Sequence, residues 1–331
     1  MTEAITRLFL RLHEMVGATG YGVFSVIVTA LLCLLIIPRT TDLMVDSAAG
    51  LAGKHLGNQQ RTLVINLSTN NPELFSMLVA FMMLRLGGIA NPLGSNFANI
   101  YLMFLIAPIW VMLIWFFKGE KKSVGAFVQL VKKEKKIVFW HITMGCLMFL
   151  FATFALWCVA GIDRFGVLGG NVDHSGARWL GIGAGVCILA VVVFLIAERG
   201  LKRGRPELFD DIDSEGQKPS WAGFAVGTIG LIIACTVMNA LFVSWEKVFG
   251  GFLTAILGTA VFAGLQYFLG ALVTSLPEMT VATRNLRRGT SPDLNTALGS
   301  ASYSNMSNMG IAGLGALIAL VLTLLGKTLI P

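Results

Sequence analysis

Two glutamates, Glu73 and Glu278, are the residues of this chain best placed to do chemistry. Each follows a proline, and each is the sole formal charge in a long apolar run, Thr62 to Leu84 for the first and Val248 to Thr283 for the second. A carboxylate at the depth of hydrocarbon costs roughly 2.5–3.5 kcal/mol on insertion scales, so it is kept where a cation or a hydrogen-bonding partner compensates it. The two are also copies. At an offset of 205 residues Thr69 falls on Thr274, Pro72 on Pro277, Glu73 on Glu278, Leu93 on Leu298, Gly94 on Gly299 and Ser95 on Ser300 without a gap.

The side chains around each glutamate are the oxygen donors a hard cation takes. The first copy reads Asn66-Leu-Ser-Thr69-Asn70-Asn71-Pro72-Glu73 and the second Ala271-Leu-Val-Thr274-Ser275-Leu-Pro277-Glu278. Proline withholds one helical hydrogen bond and frees carbonyls about four residues upstream, while hydroxyls, amides and one carboxylate lie alongside. Such a set suits Ca²⁺, Na⁺ or a similar ion, not zinc or copper. Twenty-one residues after each glutamate comes Gly-Ser, followed by Asn96 and Asn99 in one copy and by Ser304, Asn305 and Asn308 in the other. Glycine admits a neighbouring helix, and the serines and asparagines add further oxygens.

The elements that must position these residues are membrane helices. The 331 residues are 55% hydrophobic and 13% charged, with a mean hydropathy of +0.75, far from soluble globular composition. Runs with few or no charges fall at about 17–38, 62–84, 94–117, 137–161, 179–197, 221–245, 248–283 and 298–326. Each approaches or exceeds the ~20 residues that cross hydrocarbon, so the expected fold is all-α and polytopic, with eight spans. The stretch 248–283 is too long for one untilted span and is expected to be tilted or broken. Asp42 to Leu56 is expected to continue the first helix beyond a kink at Pro38.

The net charge of +7 does not signal nucleic acid, because the cations sit in short loops. Seven lysines lie between Lys118 and Lys136, Arg199, Lys202, Arg203 and Arg205 follow span 5, and Arg284, Arg287 and Arg288 follow span 7. The positive-inside rule makes these loops cytoplasmic and puts both termini outside. Glu73 in span 2 and Glu278 in span 7 then enter from opposite sides, which defines an inverted-topology repeat with its site near the midplane. The expected organisation is an interfacial segment at 1–16, a first repeat at 17–117, a basic loop at 118–136, spans 4 and 5 at 137–197, a second loop at 198–220 and a second repeat at 221–331. The opening residues lack a secretory-signal pattern, so the first span is expected to be retained.

The two motifs resemble the alpha repeats of the cation/calcium antiporter superfamily, the sodium/calcium exchanger family in particular. Its Gly-Thr-Ser-x-Pro-Glu and Gly-Ser-Asn-x-x-Asn/Asp segments are matched by Thr274-Ser275-Leu276-Pro277-Glu278 and by Gly94-Ser95-Asn96-Phe97-Ala98-Asn99. The likeness covers residues 40–117 and 240–315. It implies an exchanger-like fold and a metal site of Glu73, Glu278, Thr69, Thr274, Ser275, Ser95, Ser300 and Asn99 with the carbonyls of Asn66 and Ala271, and Asn70 and Ser304 complete the candidate set. It also implies Ca²⁺ exchanged against Na⁺ or H⁺ by alternating access in a bacterial or archaeal inner membrane. Departures are Asn70 and Asn71 in place of Ser and an apolar residue, Ser68 and Val273 in place of glycines, and Ser304 where one repeat commonly carries an acid. The family has two further helices after span 8, and assembly as a homo-oligomer would cover the flank they leave.

Other features read as structural. The five cysteines lie in apolar runs without a C-x-x-C pair and read as small core residues. Asp211-Ile-Asp213-Ser-Glu215-Gly216 opens like a calcium loop, but position 12 is Ala222, so it reads as a solvated acidic turn. The lysine-rich segment between spans 3 and 4 carries apolar residues suited to lying on an anionic membrane, though topology signalling accounts for it. His13, His55, His141 and His174 form no metal-binding spacing, and His141 reads as a packing residue. No nucleophile elbow, P-loop or metalloprotease motif appears, so no enzyme and no cofactor are expected. The expected partners are inorganic cations and the bilayer. A cation channel, a non-transporting ion sensor or an exchanger for another cation are the alternatives.

Overall fold

The computed structural model describes residues 2–57, 60–82, 87–160, 176–210, 219–257 and 275–327. It is all-helical in these residues, and six helices are long and apolar enough to cross a membrane: Glu3–His55, Gly88–Phe117, Lys135–Val159, Ala177–Gly204, Trp221–Phe252 and Ser291–Leu324. The chain is an integral membrane protein.

The first of these runs from α1 (Thr2–Leu31) through a π-helical turn, Leu32–Ile36, into α2 (Ile37–His55). Gly17, at φ 72° and ψ 172°, breaks α1 internally, a backbone state that glycine adopts without strain. The π turn explains how the helix passes Pro38. A regular α-helix would need an N–H from Pro38 to the carbonyl of Leu34, so the chain instead closes Ile37 N–H onto Leu32 O and absorbs one extra residue. The same device recurs between α5 (Gly87–Tyr101) and α6 (Ala107–Phe117), where a π turn at Leu102–Ile106 precedes Pro108. The kink expected at Pro38 is therefore a local widening of the helix just before the proline.

The second expected span is two short helices, α3 (Arg61–Ser68) and α4 (Asn71–Met82), parted at Thr69-Asn70. Pro72 is the second residue of α4, where its missing N–H is no loss. Of the seventh span, residues 258–274 lie outside the described residues. On either side of them one helix ends at Leu257 and another begins at Leu276.

The basic segment after α6 forms an amphipathic helix, α7 (Lys121–Lys133), whose Phe127 is buried against Trp115. It leads into α8 (Lys135–Ala160), then α9 (Ala177–Gly204) and a single turn, α10 (Glu207–Asp210). The second repeat supplies α11 (Trp221–Leu257), α12 (Leu276–Arg288) and α13 (Ser291–Leu324). Like Pro72 in α4, Pro277 is the second residue of α12.

Packing sets α13 at the centre, against α5, α8, α9 and α12. The long outer helices α1–α2 and α11 pack on each other. Their seam is made by Gly223, Gly227 and Gly230: a Cβ on Gly227 would sit 2.6 Å from the Met44 backbone nitrogen, and one on Gly230 2.8 Å from Thr40. Such spacing of small residues is how helices meet closely where hydrocarbon supplies no hydrophobic drive between them. At one end of the bundle, Arg284 of α12 pairs with Asp42 at 2.7 Å and Asp46 at 3.0 Å on α2. There too the buried carboxylate of Glu134 takes Arg205 at 3.1 Å and the Ser291 hydroxyl at 2.8 Å. Arg205 also holds Glu207, whose carboxyl it keeps below the ordinary range.

Candidate cation site

Glu73 and Glu278 each stand at the third residue of a helix, α4 and α12 respectively, because the proline that starts each helix immediately precedes them. The first turn of a helix offers free N–H groups and the positive end of its dipole, which favours a carboxylate there. Both glutamates are fully buried. Carboxylates buried inside an apolar bundle are kept where hydrogen-bond donors or a cation compensate them.

The polar shell is drawn from both copies. Ser95 Oγ donates to Glu73 Oε1 at 3.5 Å, and Ser304 Oγ lies 3.1 Å from Glu278 Oε1. The Thr69 hydroxyl, which donates to Asn66 O at 2.9 Å, also lies beside the Glu278 carboxylate. Ser304 is the hub: it accepts from Asn99 Nδ2 at 2.9 Å and has one proton for either Asn70 Oδ1, also at 2.9 Å, or Glu278. Asn99 and Ser304 are themselves 205 residues apart, so the repeat's own equivalent positions touch.

Behind this contact, Asn99 Nδ2 reaches Asn305 Oδ1 at 3.0 Å, and Asn305 Nδ2 in turn reaches Asn96 O at 3.0 Å. Asn70 Nδ2 bonds Asn66 O at 2.9 Å, so that carbonyl accepts from two side chains of its own segment. Ser300 Oγ turns back to Thr296 O at 3.4 Å, and Gly299 lets α13 approach the Asn66 side chain. Asn99 Oδ1 and Ser275 Oγ are buried without a hydrogen-bond partner among the described residues. A buried acceptor left so costs about 1–3 kcal/mol, a cost that a bound cation removes.

The structure thus gathers Glu73, Glu278, Asn66, Thr69, Asn70, Ser95, Asn99, Ser275, Ser300 and Ser304 in the buried interior where α3, α4, α5, α12 and α13 meet. Thr274 and Ala271 lie outside the described residues, as does the acidic turn at 211–216. Asn305, one of the asparagines after the second Gly-Ser, belongs here as a buttress. It fixes Asn99, although its repeat equivalent is the apolar Ile100.

A second polar cluster lies on another side of α13. His141 is hydrogen-bonded on both ring nitrogens, to Ser302 Oγ at 2.7 Å and Asn295 Oδ1 at 2.9 Å. Tyr303 donates to Glu198 at 3.1 Å, and Lys202 pairs with the same carboxylate at 2.7 Å. These satisfied groups pin α13 to α8 and α9, in keeping with a packing role for His141.

No protein-family model and no curated protein matches this chain. Among solved structures it is similar to the sodium-calcium exchanger NCX_Mj, in a structure described as soaked with zero Na⁺ and Ca²⁺. That likeness has 18% identity and a TM-score of 0.42, over 92% of this chain and 89% of the other. A likeness this distant decides neither family nor function, which rest on the side chains themselves.

Proposed function

We propose that this protein is a secondary active cation antiporter that exchanges Ca²⁺ against Na⁺ by alternating access to the Glu73–Glu278 site. The observation that carries the reading is a fully buried glutamate at the third residue of a helix in each of two sequence-equivalent segments, with Ser304, the equivalent of Asn99, touching both Asn99 and Glu278. Carboxylate, hydroxyl and amide oxygens are the donor set that hard cations take. A site placed on the repeat interface is one that a rocking or sliding of one copy against the other can open to either side in turn. The glycine seam between α2 and α11 supports movement of these long outer helices over the fixed α4 and α12 helices. With the basic loops on the cytoplasmic face, both termini lie outside. The proposed membrane is a bacterial or archaeal plasma membrane, and the proposed partners are the cations and the surrounding lipid.

The test is ⁴⁵Ca²⁺ uptake into proteoliposomes preloaded with Na⁺, with a proton-gradient arm. Uptake that needs an outward Na⁺ gradient and is lost in Glu73→Gln and Glu278→Gln is the expected result. Calcium flux that runs at channel rates without a counter-ion gradient would make the protein a channel. Binding without flux in folded protein would make it a sensor.

A further inference from the structure

The two copies of the repeat differ where their inner helices meet the long outer ones. On α4 the contact is neutral and loose, with the Asn71 amide 3.4 Å from Thr228 Oγ1 of α11 and 3.5 Å from Met44 Sδ of α2. On α12 it is ionic. Arg284 Nη1 donates to Asp42 Oδ1 at 2.7 Å and to Asp46 Oδ1 at 3.0 Å, both on α2. At the 205-residue offset Arg284 falls on Val79, so the first copy carries no charge at the equivalent position.

Six residues separate Glu278 from Arg284, a rise of about 9 Å along α12 toward the end where Arg287 and Arg288 lie. Asp42 and Asp46 stand one turn apart on one face of α2, which itself ends in Lys54 and His55. Between the glutamate and the arginine comes Val281, fully buried in one apolar cluster with Met44, Val45 and Ala49 of α2. Helix α2 therefore closes on α12 just beyond the site, on the side that the basic loops make cytoplasmic, with an apolar seal and an ionic clasp outside it. The clasp is one that can open. The Arg284 side chain is 21% exposed and those of Asp42 and Asp46 are 43% and 38%, so the ions keep part of their water and their separation strands no dry charge.

We propose that Arg284 is a positioning residue for transport: its ion pairs hold α2 against α12, keep the cytoplasmic route to the Glu73–Glu278 site shut, and separate each time that route opens. This rests on the antiport reading, in which the outer helices move over a fixed α12. The first copy has no such charge, so the clasp weights the resting population against the cytoplasm-open state.

The test reads access separately from flux. Access is the rate at which a membrane-impermeant maleimide in inside-out vesicles labels Ala49→Cys in a background freed of the five natural cysteines. Flux is Na⁺-driven Ca²⁺ exchange with the natural cysteines in place, its half-saturating Ca²⁺ measured from each face in inside-out and right-side-out vesicles. Arg284→Gln is expected to speed the labelling about 3–10-fold, the range for two partly exposed ion pairs. It is also expected to lower half-saturation at the cytoplasmic face and raise it at the outer face, the mark of a shifted population. Arg284→Lys keeps a single charged nitrogen between the two carboxylates and is expected to stay within about twofold of the natural protein. Unchanged labelling and half-saturation in Arg284→Gln overturn the clasp and leave the antiporter standing. Half-saturation that rises at both faces, or an Arg284→Lys that behaves as Arg284→Gln does, overturns it too, since damage to the fold has no preferred side. Faster labelling of a protein that shows no Na⁺-driven exchange supports the clasp and overturns antiport.

Discussion

The two copies of the repeat agree in charge and differ in donors. Each places one glutamate at the third residue of a proline-started helix, yet the first copy surrounds the pair chiefly with amides, Asn66, Asn70, Asn96 and Asn99, and the second with hydroxyls, Ser275, Ser300 and Ser304. An amide has fixed donor and acceptor ends, whereas a hydroxyl turns its single proton toward whichever acceptor is present. Ser304 shows the difference, standing between Asn70 and Glu278 while accepting from Asn99. Symmetry thus sets where the cation sits, and asymmetry sets how the lining adjusts as its occupant changes.

That comparison can be broken most sharply at the carboxylates. Glu73→Gln and Glu278→Gln are each expected to lower Na⁺-driven Ca²⁺ uptake by more than about 100-fold, above the range for groups that only support a ligand. A loss confined to one of them would end the equivalence of the copies. Next in size is the central contact. Ser304→Ala leaves Asn70 and Asn99 short of a partner and is expected to weaken Ca²⁺ binding about 10–100-fold in a titration of uptake rate. The exchange of roles in a double variant, Asn99→Ser with Ser304→Asn, is expected to restore uptake to within about tenfold of the natural protein if the equivalence of the two positions governs the site. A smaller effect is expected at the outer seam, where Gly227→Leu forces a side chain into the Met44 backbone. It should cost about 1–3 kcal/mol, read as an earlier thermal unfolding in detergent. Smallest is Tyr303→Phe, which removes one of two partners of Glu198. A buried hydrogen bond in a membrane bundle averages about 0.6 kcal/mol, so a slight loss of thermal stability with unchanged uptake is expected. Uptake that falls with it would move the second cluster from scaffold to function.

The candidate site was legible because a lone charge in an apolar run is conspicuous, and a repeated one more so. The proline before each glutamate marks a gap in the helical hydrogen bonding, and the Gly-Ser segments mark close helix contact. Other features depend on three-dimensional neighbours that no local pattern carries. Asn305 has Ile100 as its repeat equivalent, so the offset that exposed the glutamates hides it. The division of the second span at Thr69-Asn70 was hidden by an apolar run long enough to cross in one piece. His141 meets Ser302 and Asn295 more than 150 positions away, and only the fold brings them to it.

The π turns ahead of Pro38 and Pro108 have a consequence for the chain's numbering. Each accommodates one residue beyond the α-helical count, and one residue turns everything after it by about 100° around the helix axis. The face that α2 presents to the glycines of α11 is therefore set by the length of the segment before it as well as by the residues on it. Deleting one residue between Leu32 and Ile36 would swing Met44 and Ser47 off the seam without changing either. A relative with regular helices at these two places would align with single-residue gaps before the prolines, and its matching faces would appear only after those gaps are opened.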